Sequence, residues 1–247
     1  MNLAPLALRP RVLLVGGLLA VAAVSWAYLA HMGRDMDPAC AAMGMSMGAA
    51  WIFTMWAVMM VAMMVPTAVH TTLLYARLLR GRDAAAAIAA PVALFVTGYV
   101  AAWTLFSAAA TALQLGLERA AVMSPAAMKL DSPTAGGLAL VAAGVFQWTP
   151  WKDACLTRCR SPLGFFLASW RDGPLGALRM GVHHGLTCLG CCWALMLLLF
   201  VLGTMDLLWI AGLTALVLVE KIAPRGDLVA RAAGVAMVAA GVWVIVR

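Results

Sequence analysis

The chain has 247 residues, of which 65% are hydrophobic and only 11% charged. Soluble domains run nearer half apolar and a quarter charged, so this composition excludes an ordinary soluble domain and points to a membrane protein. The net charge of +7 comes without a basic patch interleaved with aromatics. It therefore reads as membrane topology and headgroup contact, not as nucleic-acid binding.

Seven apolar stretches are long enough, or nearly so, to be membrane-spanning helices: Val12–Ala30, Trp51–Leu74, Ala85–Ala108, Gly136–Trp151, Met180–Leu202, Met205–Val219 and Leu228–Val246. A full crossing takes about 20 residues. The fourth and sixth are short, and six crossings are the alternative. The predicted fold is an all-α polytopic transmembrane helix bundle forming a single domain over 1–247. Abundant Gly and Ala suit close helix packing in lipid, and no alternating pattern of a membrane barrel appears.

The first span follows Arg9 and Arg11. It is too long for a signal-peptide core and is expected to remain as an anchor. Lys and Arg collect in cytoplasmic loops. With the N-terminus inside, thirteen of the 17 Lys and Arg fall in inner segments, and only Arg34, Arg119, Lys129 and Arg247 fall outside. The expectation is a bacterial cytoplasmic membrane protein with its C-terminus outside.

An outer segment, 31–50, reads HMGRDMDPACAAMGMSMGAA. It offers His31, Met32, Met36, Cys40, Met43, Met45 and Met47. Without a core to fill, such a Met-x-Met-x-Met run is a candidate mouth for Cu(I).

Span two begins WIFTMWAVMMVAMMVPTAVH. Met55, Met59 and Met63 fall within about 80° on a helix; Met60 and Met64 widen that face, and His70 returns to it. A Met stripe is usually packing. Five in ten residues with a His below exceed what packing needs, and thioethers select Cu(I).

After span four, residues 152–179 are expected to form a cytoplasmic loop. There CLTRC sets Cys155 and Cys159 beside Lys152 and Arg158. Neighbouring positive charge favours thiolate, so this pair is a candidate metal receiver or redox couple.

Span five carries HHGLTCLGCCWALM. His184, Cys188 and Cys191 fall within about 60° of one face, with Met180 on it and Cys192 at its edge; His183 points elsewhere. Any single Cys is a small buried hydrophobe. Several donors on neighbouring positions of one span mark a functional site instead. One helix cannot close a coordination shell, so a second must contribute. Met63 lies roughly 18 Å from the outer face and Cys188 roughly 13 Å from the inner one, nearly the same level. Spans two and five are therefore expected to pack together, with Ala62, Gly185 and Gly190 allowing close approach.

MWAVMMVAMMVPT, QWTPWKDACLTRCRSP and HHGLTCLGCCWALM together resemble a family of bacterial proteins described as predicted metal-binding integral membrane proteins. The resemblance implies a polytopic fold and a metal-related role for Met55, Met59, Met60, Met63, Met64, Cys155, Cys159, His184, Cys188, Cys191 and Cys192. It implies neither the metal nor a mechanism.

The leading function is binding a soft transition metal for transport or delivery. Cu(I) is preferred and Zn2+ is the alternative. The partners expected are the bilayer and a soluble metal carrier or a metalloprotein under assembly. A thiol–disulfide carrier is the second reading, although exchange has no need of a thioether row. A non-catalytic membrane subunit that anchors a partner is the third. No GxxxxGK[ST] loop occurs, so the chain carries no P-loop ATPase to drive transport.

Overall fold

The computed structural model describes residues 8–34, 48–82, 87–125 and 127–247. It is an all-α bundle with one small hairpin. In chain order the helices are α1 (Leu8–Arg34), α2 (Ala49–Arg82), α3 (Ala89–Arg119), α4 (Pro133–Phe146), α5 (Pro150–Arg160), α6 (Pro162–Ser169), α7 (Gly173–Leu197), the single turn α8 (Leu199–Leu202), α9 (Leu207–Ile222) and α10 (Gly226–Val246). Strands β1 (Met123–Ser124) and β2 (Lys129–Leu130) pair antiparallel between α3 and α4.

Five of these segments are long and apolar enough to cross a membrane: α1, α2, α3, α7 with α8, and α10. The helices at the fourth and sixth expected spans are shorter, 14 residues in α4 and 16 in α9. Helices α1 and α10 bury little of their surface and carry outward side chains such as Leu13 (75% exposed) and Val246 (80%).

The expected span Gly136–Trp151 is interrupted. Helix α4 ends at Phe146, and the amides of Gln147, Trp148 and Thr149 close the turn on carbonyls three or four residues back. Thr149 then caps α5 by accepting the Lys152 amide at 3.3 Å, with Pro150 in the first turn. A residue before proline avoids the helical region, and Thr-Pro is a good helix start, so the helix breaks and restarts here. Cys155 and Cys159 consequently lie on helix α5.

The two pieces run together along α10. Gly144 packs against Gly234 and Gly137 against Gly241. Further along, Asp153 pairs with Arg231, and Arg160 reaches Asp227 and the Ala223 carbonyl. Residue order rises on one side as it falls on the other, so α4 and α5 form one broken path antiparallel to α10.

The break is fastened by buried charge. Lys152 donates to Glu220 at 2.7 Å, with both side chains at 0–1% exposure, and Gln147 donates to the other carboxylate oxygen at 3.2 Å. Helix α7 packs chiefly on α3. A Cβ on Gly185 would stand 2.7 Å from the Ala102 Cβ and 2.9 Å from the Tyr99 carbonyl. The close approach expected of Gly185 is thus to the third span. Among the described residues, α2 and α7 share no broad interface.

Removing one partner of a buried ion pair leaves an unpaired charge and costs about 3–5 kcal/mol, while apolar replacement of both is far milder. Glu220→Leu and Lys152→Met are each expected to lower the heat stability of the detergent-purified protein sharply. The double variant is expected to be more stable than either. A double variant as damaged as the worse single one would contradict this assignment.

Candidate metal centre

Cys188 sits midway along α7 and is 1% exposed. Three helices supply its surroundings. The Tyr99 hydroxyl of α3 lies 3.1 Å from Cys188 Sγ and donates to the Met64 carbonyl of α2 at 3.1 Å. Lys221 Nζ of α9 donates to Cys188 Sγ at 2.8 Å and to Thr67 Oγ1 at 3.2 Å. The Met64 carbonyl and Cys188 Sγ are therefore within about 6 Å of each other. Spans two and five meet at the anticipated level, but through Tyr99 and Lys221 and not by direct helix packing.

The other thiols gather around this point. Cys191 and Cys192 are buried beside Cys188, and both S–H groups donate to its backbone carbonyl at 3.0 and 3.1 Å. From α5, the Cys159 thiol is close enough to interact with those of Cys188 and Cys191. Cys155 faces the notch left by Gly190, where a Cβ would stand 2.8 Å from its sulfur. All five of these cysteines are free thiols. Lys152, expected to act on the thiols of its own segment, is taken up by Glu220. The cation at the cluster is Lys221.

Met55, Met59, Met60, Met63 and Met64 are all fully buried. They lie in one core cluster with Cys188, Cys191, Cys192 and Met196. Met32 joins that cluster too, because α1 continues to Arg34 and carries His31 and Met32 on helix instead of loop. Met36, Cys40, Met43, Met45 and Met47 lie outside the described residues.

The remaining candidates have other immediate neighbours. His184 is 3% exposed and boxed by Phe95, Tyr99 and Phe165, with Nδ1 lacking a hydrogen-bond partner. Met180 belongs to a second aromatic cluster, and its thioether accepts the Arg171 amide at 3.4 Å. His183 lines a surface cleft with Arg158, Ser161 and Phe165. His70 is exposed, yet it shares a pocket of about 270 Å³ with Thr67, Thr71, Cys159, Arg160, Lys221 and Ile222. That pocket leads to the Cys188 cluster through Lys221.

Among the described residues, no three His, Cys, Asp or Glu side chains are arranged as a metal-holding group. The geometry explains why: Cys191 and Cys192 turn their thiols back on the α7 carbonyl, and an ammonium stands 2.8 Å from Cys188 Sγ. A tetrahedral zinc site would need four donors set around one point. A soft, low-coordinate ion needs fewer, and thiolates and thioethers are the donors it prefers.

A family model described as the PpoB2 copper chaperone matches residues 53–244. The chain belongs to the PpoB2 copper chaperone family. Its role is accordingly copper-related, which agrees with the soft-donor reading of spans two and five; the zinc alternative gains no support. Comparison with curated proteins and with solved structures finds no match. The matched region begins within α2 and ends within α10, so it takes in both the methionine row and the five thiols.

Sequence reasoning missed Tyr99, Thr67 and Lys221 as members of the site. Lys221 carried a readable signal: a lysine one residue after Glu220 at the end of an apolar helix.

Proposed function

We propose that this PpoB2-family chain is an integral membrane copper chaperone. It takes Cu(I) on the thiols around Cys188 and passes it along buried thioethers to a soluble carrier or a metalloprotein under assembly. The observation that carries this reading is the gathering of free thiols from α5 and α7 at the level where the α2 methionine row ends. Thiolate and thioether together form a soft donor set, which suits Cu(I) better than harder ions. Five long apolar helices and the outward apolar surfaces of α1 and α10 support placement in a bilayer.

The same meeting of Cys159 with Cys188 and Cys191 favours a second reading, thiol–disulfide exchange between α5 and α7. The methionine row has no part in that chemistry.

Competition for Cu(I) with a chromogenic chelator, on the detergent-purified chain, separates the two. The Cys188→Ala/Cys191→Ala variant is expected to weaken binding by about a hundredfold or more, a larger loss than outer-shell changes give. Equal affinity in variant and wild type would sink the copper reading, and Zn2+ binding in place of Cu(I) would keep the site and reject the metal.

The proposed setting is the cytoplasmic membrane, N-terminus inside and C-terminus outside, from the charge asymmetry of the connecting segments. A reporter active only in the cytoplasm is expected to work when fused after Arg82 and to be silent after Arg247. Activity at Arg247 would refute an odd number of crossings.

A further inference from the structure

The cation beside Cys188 has a use that copper binding alone does not assign. Lys221 Nζ stands 2.8 Å from Cys188 Sγ and 3.2 Å from Thr67 Oγ1. It also lines the pocket of about 270 Å³ that holds His70, Cys159 and Arg160. The ammonium therefore sits between a pocket and a buried thiol. At this distance it is a charge-assisted contact, with a compact single positive charge as the donor.

We infer that Lys221 is a placeholder for a monovalent metal ion and thereby sets the charge selectivity of the site. This rests on the copper reading above. When Cu(I) reaches Cys188, one positive charge replaces another, and the lysine side chain swings into the pocket it already lines. Net charge around the thiol is the same before and after the exchange, once the ammonium is solvated in the pocket. A divalent ion taking that position leaves one surplus positive charge in a poorly solvated site, with Arg160 on the pocket wall adding to the repulsion. The site then prefers a monovalent soft ion to a divalent soft ion of similar thiol affinity. Lys221 acts through charge and position, not as a ligand.

Ag+ and Cd2+ test this as redox-inert soft probes, read by their thiolate absorption bands in competition titrations of the full chain in detergent. Wild type is expected to favour Ag+ over Cd2+. In Lys221→Gln, which keeps polarity and loses charge, Cd2+ affinity is expected to rise about tenfold or more while Ag+ changes by no more than about threefold. Lys221→Leu is read in parallel and is expected to follow Lys221→Gln. Lys221→Arg is expected to restore the wild-type ratio, which a merely structural role for lysine would not predict. An unchanged Ag+ to Cd2+ ratio in the uncharged variants overturns the placeholder role and leaves copper binding standing. Failure of wild type to bind Ag+ overturns the copper reading, and this inference falls with it.

Discussion

The arrangement depends on a break in one helical path and on the buried ion pair that fastens it. Were residues 133–160 one continuous helix, the Cys155 and Cys159 side chains would follow the phase set by α4, which packs along α10. Thr149 and Pro150 interrupt that phase, and α5 restarts facing α7. The polar groups exposed by the interruption need partners in an apolar interior. Glu220 meets that need by holding both Lys152 and Gln147. The next residue, Lys221, lies about 100° further round α9 and reaches Cys188. Two adjacent charges on α9 thus do separate jobs: one secures the thiol-bearing helix, the other donates to the Cys188 sulfur.

This coupling gives the proposed copper site its supports. Helix α7 is held on α3 by the close approach at Gly185, which brings the Tyr99 hydroxyl to Cys188. The same hydroxyl fixes the α2 backbone at Met64. Every thiol and thioether of the proposed site therefore rests on helices that are themselves fixed at that level. Mobility is left to side chains: thiols that rotate away from a carbonyl, flexible methionines, and one lysine at a pocket.

Much of this was legible in the sequence. Long apolar runs identified α1, α2, α3, α7 and α10, because hydropathy over about 20 residues is a strong signal. Thioether and thiol spacing pointed to a soft metal, and helical rise set Met63 level with Cys188; the link the structure shows is from the neighbouring Met64 carbonyl through Tyr99 to Cys188. The helix break was obscured because Trp148 and Trp151, counted as apolar residues, flank Thr149–Pro150. The cap and proline were a readable start signal, passed over in favour of a longer span. Helix partners were not legible: glycines on α7 predict a close neighbour without saying which, and it proved to be α3. Met180 showed the limit of face arguments, because it shares a face with Cys188 yet lies, like His184, at the aromatic end of the bundle. Lys221 and Tyr99 were missed because charge at a helix end and a lone Tyr within a span are usual features of membrane helices.

The central claim is that soft donors from different helices converge on one copper ion at Cys188. X-ray absorption at the copper edge, on the purified chain loaded with one equivalent of Cu(I), tests it most directly. The account predicts a low-coordinate Cu(I) spectrum with a first shell made of sulfur, and a shell that loses sulfur in Cys188→Ala. A first shell dominated by nitrogen or oxygen, or a sulfur shell unaltered by Cys188→Ala, would contradict it.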